Sequence, residues 1–268
     1  MPKHGPREEV FAYFLSDVHL GAKNALVKAE RIVLNRYQPD YIIVDGDLID
    51  DSNLSPRGLL SCKSRKLEEI EDQPDRIPRS HLDLVEDING RAKHGCHVIF
   101  IPGNHDHGIW RLLAYFIGAS VHQEFILEYN GKKIYVTHGD FFDTFYHERR
   151  IISEIAMRLY ELIINKFGPL GHKFGAILKK CSKYYTGAIN CVAEGATRRA
   201  AELGCSVAIC GHTHHAEYRV LNGVHYFNLG CGTEDPISVM TIGELGIRIH
   251  FCNAEGKEIR IMGPYPIF

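Results

Sequence analysis

Five short motifs carry most of the chemistry this sequence could do: Asp17-Val18-His19, Gly46-Asp47, Gly103-Asn104-His105-Asp106, His138-Gly139-Asp140 and Gly211-His212-Thr213-His214. Taken singly, each reads as a polar turn or a satisfied histidine. Together they offer carboxylates, imidazoles and one amide without a thiolate, a donor set for Mn²⁺, Fe²⁺ or Zn²⁺, of which Mn²⁺ is the first choice. Residues two apart in a strand point the same way, so Asp17 with His19, and His212 with His214, would each grip one ion if extended geometry persists. Two such ions about 3.5 to 4 Å apart need one bridging carboxylate, and such a pair can activate water and clamp an in-line phosphoryl displacement.

The elements that must position these groups are short apolar runs. Val10 to Leu15 precedes Asp17, Tyr41 to Val44 precedes Asp47, His97 to Ile101 precedes Asn104, Lys133 to Thr137 precedes His138, and Ser206 to Cys210 precedes His212. Runs of this kind are strands covered on both faces, and open α/β sheets place ligands beyond the carboxyl ends of such strands. The expectation is five strand ends converging on one sheet edge. Asn24 to Tyr37 and His81 to Lys93 read as connecting helices, which makes the early strands parallel. Asp51 to Pro78 reads as a long surface loop, and residues 145–204 as a helical insertion broken near Gly168-Pro169. After Gly211, segments from Glu217 to Phe251 read as an antiparallel meander.

The 268 residues suit one domain, 1–268, with the insertion inside it. With 45% hydrophobic and 24% charged residues and a formal net charge of −2, the chain is an ordinary globular one, and its balance offers no reason to expect nucleic acid. The charge is unevenly spread: the insertion holds ten basic and five acidic side chains. The eight Cys form no CxxC pair and suit reduced, buried thiols. Residues Met1 to Glu9 lack the apolar core of a signal peptide, and no run reaches membrane-span length. The expected location is cytoplasmic.

The order D-x-H, G-D, G-N-H-D, H-G-D, G-H-T-H, running from Asp17 to His214, resembles the calcineurin-like metallophosphoesterase superfamily. The resemblance implies a four-layer αββα sandwich of two mixed sheets. It implies one ion held by Asp17, His19 and His214, a second by Asn104, His138 and His212, and Asp47 between them. His105 would stabilise the charge developing at phosphorus or protonate the leaving oxygen, with Asp106 orienting its ring. His107, His215 and His225 read as polar surface or supporting residues, Asn228 as structural, and His147 as a residue that could face substrate.

The Leu15 to Gly21 start, the H-G-D-x-x-D form at His138 to Asp143 and the placement of the insertion are similar to the UDP-2,3-diacylglucosamine diphosphatase group. That group cleaves a nucleotide-sugar lipid to UMP and a lipid phosphate at the inner face of the cytoplasmic membrane. An insertion with apolar stripes and net positive charge could accept acyl chains in peripheral contact with the membrane, or could simply pack on the domain. His105 is a departure, because better-known members carry Arg there. Three readings stay open: a hydrolase of a lipid-linked nucleotide, a soluble phosphodiesterase or phosphatase, and a non-catalytic scaffold.

Overall fold

The computed structural model describes residues 7–49, 78–106, 110–143 and 183–267. The expected loop at Asp51 to Pro78, most of the expected insertion, His107 and His147 lie outside the described residues.

Strand β1 (Glu8–Leu15), helix α1 (Val27–Leu34), β2 (Tyr37–Asp45), α2 (Arg79–Lys93), β3 (His97–Ile101), α3 (Trp110–Ile117) and β4 (Ser120–Val121) follow one another in sequence. They build the parallel half of a seven-stranded sheet. Its order is completed by β10 (Ile237–Gly243), β11 (Gly246–Cys252) and β12 (Glu258–Tyr265), which are antiparallel. A second, five-stranded sheet contains β5 (Phe125–Tyr129), β6 (Lys132–Val136), β7 (Val207–Cys210), β8 (Glu217–Leu221) and β9 (Val224–Asn228), in the order β5-β6-β7-β9-β8. Helix α4 (Lys183–Glu202) precedes β7.

The strand ends therefore come from two sheets, not one: β1, β2 and β3 from the first, β6 and β7 from the second. The expected meander is divided in the same way. Its first hairpin, β8–β9, joins the second sheet, where β9 lies parallel to β7, and its remainder crosses to pair with β1. Sequence periodicity reports which residues alternate, but it does not report which sheet a strand joins.

Alternation along each strand explains the layers. Phe14, Ile43, Ile99 and Ile101 face Ile134, Val136, Ile209 and Phe227 across the space between the sheets. Their neighbours Tyr13, Leu15, Ile42, Val44 and Phe100 face outward under α1, α2 and α3, meeting Val33, Leu84, Ile88 and Ile117. On the far side, Tyr135, Ala208, Cys210 and Tyr226 meet Val192, Ala193, Ala196 and Ala200 of α4. The result is a helix–sheet–sheet–helix sandwich, and each large apolar side chain wholly removed from water adds about 1.5–3 kcal/mol. The last stretch of the expected insertion is thus the fourth layer of the core.

Candidate metal centre

Beyond the end of β1 the chain stays beside the end of β2: the amides of Asp17, His19 and Leu20 donate to the carbonyls of Gly46 (3.1 Å), Asp47 (2.9 Å) and Leu48 (2.7 Å). From the second sheet, the Gly211 amide donates to the His138 carbonyl (3.1 Å). Asn228, buried at the end of β9, donates from Nδ2 to the Gly211 carbonyl (2.6 Å), a structural role. Two sheets thereby bring four loops to one place.

The geometry of those loops is not extended. Asp17, His19, Asp47, His212 and His214 all have positive φ, between 49° and 65°. Among the described residues only two other non-glycine residues share this conformation, Asn130 and Asn222. Both belong to Asn-Gly hairpin turns that need it. The left-handed region costs a non-glycine residue on the order of 1–3 kcal/mol and collects at functional sites. Strand alternation is thus not what puts Asp17 beside His19 or His212 near His214.

Two groups of side chains converge. One donor atom each of Asp17, His19 and His214 lies within 4.8 Å of the others, and the same holds for Asp47, His138 and His212. In the first group His214 Nε2 is 3.1 Å from Asp17 Oδ1 and 3.3 Å from His19 Nε2. In the second, His138 Nε2 is 3.4 Å from Asp47 Oδ2, and His212 Nδ1 is 3.0 Å from Asn104 Oδ1. Asp47 Oδ2 is also 3.9 Å from His19 Nε2, so this oxygen faces both groups.

These donors fit divalent ions. Ligand bonds of about 2.1 Å put neighbouring donors about 3.0–3.4 Å apart in octahedral or tetrahedral shells. Buried Asp17 Oδ1 and His138 Nε2 make no hydrogen bond outside their own groups, where they face His214 and Asp47. His138 Nδ1 lies 2.9 Å from the Asp45 carbonyl, to which it donates, so Nε2 is the nitrogen turned toward Asp47. Burial opposes a charge there, but Asp47 outweighs it and holds His138 well above the ordinary histidine range, and a cation bound at Nε2 would displace that proton. Close approach also explains two glycines. A Cβ at Gly46, whose φ is 76°, would lie 2.1 Å from His138 Nδ1, and one at Gly103 would lie 2.2 Å from Asp47 Oδ1.

The electrostatics favour ionised carboxylates at Asp17 and Asp47 and a neutral imidazole at His19. Burial opposes the charge on Asp17, but His214 outweighs it and holds the carboxyl at about 2. Burial pushes His19 down to about 4 despite the pull of Asp47. Burial also opposes the charge on Asp47, yet His138 and His19 hold its carboxyl well below the usual range. Asp45, with neither carboxylate oxygen hydrogen-bonded, is pushed by burial up to about 8.

His105 borders the first group. Its backbone amide donates to Asp47 Oδ1 (2.7 Å), and its ring meets that of His19 edge-on at 5.0 Å between centroids. Asp106 accepts from the amides of Asp47 (2.8 Å), Gly103 (2.9 Å) and Ile49 (3.1 Å), which ties the third loop to the second. Burial pushes its carboxyl up to about 7. His225 lies away from the groups, 2.8 Å from the Tyr218 hydroxyl.

Two participants carried no role in the sequence. Asp143, buried, places Oδ2 3.1 Å from His212 Nε2, on the opposite side of the ring from Asn104. Ser16 donates to Asp17 Oδ2 and lies 2.6 Å from the Asp45 carbonyl. The H-G-D-x-x-D spacing made Asp143 visible, but nothing local could name its partner 69 residues away.

The described cysteines form no disulfide with one another, and no helix among the described residues is long and apolar enough to cross a membrane. No curated protein matches the chain significantly in sequence. Similar solved structures include a phosphoesterase, Yfce, from E. coli (14% identity, 95% of this chain and 99% of that chain, TM-score 0.48). Another is Vps29 from Chaetomium thermophilum (10%, 94% and 95%, TM-score 0.47). A third is a conserved protein from Streptococcus pneumoniae described as a predicted phosphoesterase (15%, 94% and 97%, TM-score 0.41). These overlays are loose, whereas the family model for calcineurin-like phosphoesterases matches residues 12–216, well over half of the chain. That match takes in all five loops that carry the candidate ligands, and the chain belongs to the calcineurin-like phosphoesterase family, metal-dependent phosphohydrolases with a binuclear divalent centre.

Proposed function

We propose that the chain cleaves a phosphodiester or pyrophosphate bond with Asp17, His19 and His214 holding one ion, Asn104, His138 and His212 the other, and Asp47 between them. The observation that carries this reading is the position of Asp47 Oδ2, 3.4 Å from His138 Nε2 and 3.9 Å from His19 Nε2, facing both groups at once. Bound there, two divalent ions, Mn²⁺ by preference, would lower the pKa of a water and neutralise the phosphoryl oxygens.

The protein supplies the rest. Ser16 and the His212 amide (3.0 Å) hold Asp17 Oδ2 and leave Oδ1 toward the gap. Asp143 fixes the His212 ring from behind. His105, beside the first group, offers an imidazole to the leaving oxygen, and Asp106 acts by clamping the loops that carry Asp47 and His105 rather than by chemistry of its own.

The substrate we favour is a UDP-2,3-diacylglucosamine-like nucleotide-sugar lipid, cleaved to UMP and a lipid phosphate by a cytoplasmic protein in peripheral contact with the inner membrane face. Its support is the H-G-D-x-x-D motif and the basic, apolar stretch that follows it. One residue favours a second reading: His105, in place of the Arg of better-known diphosphatases, suits a soluble phosphodiesterase or phosphatase acting on a small phosphoester. We place His147 on the substrate side in either case. Incubation of the Mn²⁺-loaded protein with UDP-diacylglucosamine and with nitrophenyl mono- and diesters decides between them. UMP release supports the lipid substrate, nitrophenol release without UMP supports the small phosphoester, and the absence of both products refutes the proposal.

A further inference from the structure

The loop from β9 to β10 adds a thiol to a site whose other ligands are oxygen and nitrogen. Donor atoms of His214, Cys231 and Glu234 lie within 4.8 Å of one another. Cys231 is buried, and the backbone around it is pinned. Its amide donates to Ser238 Oγ (3.2 Å), its carbonyl accepts from the Ser238 amide (3.1 Å), and the next amide, of Gly232, donates to the Asp17 carbonyl (3.1 Å). The loop is thereby fixed to the same residue that heads the first ligand group. Beneath it lies the buried carboxylate of Glu30, whose Oε1 has no hydrogen-bond partner and stands 2.9 Å from the position of a Cβ on Gly232.

A buried thiol by itself is a packing side chain. Grouped with an imidazole and a half-exposed carboxylate, it makes a soft, tetrahedral-capable donor set of the kind that selects Zn²⁺ over Mn²⁺. We infer that His214, Cys231 and Glu234 form a third cation site, selective for thiophilic ions such as Zn²⁺, which draws His214 away from the Asp17–His19 group and so inhibits the enzyme. On binding, the thiol gives its proton to solvent and the thiolate bonds to the ion, with no change in oxidation state. Glu234 admits the ion from the solvent side, and His214 couples this site to the first group.

Cobalt tests the inference without relying on turnover, because a thiolate-to-Co²⁺ charge-transfer band requires sulfur and neither of the two main groups contains any. Co²⁺ titration of the full chain should develop this near-ultraviolet band, and the ligand-field bands of the Asp17–His19 group should diminish as it grows, because the two sites share His214. The band should be lost in Cys231→Ser and weakened or shifted in Glu234→Gln, with the ligand-field bands of the main groups retained in both. Zn²⁺ should inhibit the Mn²⁺-loaded protein, and more Zn²⁺ should be needed in either variant. Only the inhibition measurement rests on the proposed function, so a protein without activity leaves the cobalt result decisive. Absence of the band at every cobalt load would overturn the inference, as would a band unchanged in Cys231→Ser. Should Cys231→Ser fail to fold, a band that Glu234→Gln leaves unchanged would overturn it instead.

Discussion

Removing the Asp143 carboxylate should loosen one ion and not the other. Asp143 is buried, and its Oδ2 lies 3.1 Å from His212 Nε2 while His212 Nδ1 faces the proposed second ligand group, 3.0 Å from Asn104 Oδ1. A carboxylate on the far nitrogen keeps the proton at Nε2, fixes the ring and makes Nδ1 a stronger donor. Loss of such a partner costs roughly 10- to 100-fold in metal affinity, or about 1.4–2.7 kcal/mol. A hydrogen bond to a charged group independently contributes about 1.5–3 kcal/mol, so two routes give one magnitude. Isothermal calorimetry with Mn²⁺ on Asp143→Ala should resolve one unchanged and one weakened site. Activity lost at limiting Mn²⁺ should return when Mn²⁺ is raised. Asp143→Asn should fall between Ala and the parent, since its amide oxygen can still accept from Nε2. Two unchanged affinities in Asp143→Ala would refute the carboxylate's hold on His212, and so would an activity loss that saturating Mn²⁺ does not relieve.

Three further outcomes are expected. Gly103→Ala sets a methyl 2.2 Å from Asp47 Oδ1 and 2.7 Å from His138 Nε2, so it should abolish binding at the second group while circular dichroism stays near that of the parent; full metal content by elemental analysis would count against the close approach. His105→Asn should keep both ions and lose roughly 10²- to 10⁴-fold in turnover, measured on whichever ester proves best, whereas unaltered turnover removes this imidazole from the reaction. His250, buried in β11 against Thr241 Oγ1 (2.8 Å) and Glu258 Oε2 (2.6 Å), is held below the ordinary histidine value by burial even though Glu258 pulls the other way. Its folded state therefore binds fewer protons than the unfolded chain, and its contribution to stability is full above about pH 6.5 and falls as the pH drops below that. Urea midpoints between pH 8 and 5 should decline less steeply in His250→Gln than in the parent, and parallel curves would show that His250 does not titrate as described.

Much of the fold could be read because its central strands are covered on both faces. Tyr41 to Val44, His97 to Ile101 and Val207 to Cys210 are continuous apolar runs for that reason, and each ends two or three residues before a candidate ligand. β12 left no such trace, since Ile259 and Ile261 lie exposed on an edge strand that also contains Gly263 and Pro264. β2 begins at Tyr37, four residues before its apolar run, with Pro39 inside it. The sharing of strands between two sheets had no local signature at all.

At the site, residue types and order were legible, whereas the local geometry was not. The D-x-H and H-T-H spacings suggested strand alternation, yet the chain reaches the same convergence through left-handed residues at Asp17, His19, His212 and His214. Hydrogen bonds between loops can hold that strained conformation, but no periodicity encodes it. Asp106 was legible as a neighbour of His105, although its three amide contacts tie loops together and depend on chain reversals far from its own position.

Electron paramagnetic resonance of the protein loaded with two equivalents of Mn²⁺ bears most directly on a centre organised around Asp47. Ions about 3.5–4 Å apart on a shared carboxylate should give an exchange-coupled spectrum that Asp47→Asn abolishes. Two isolated Mn²⁺ signals in the parent, or coupling that survives in Asp47→Asn, would contradict it.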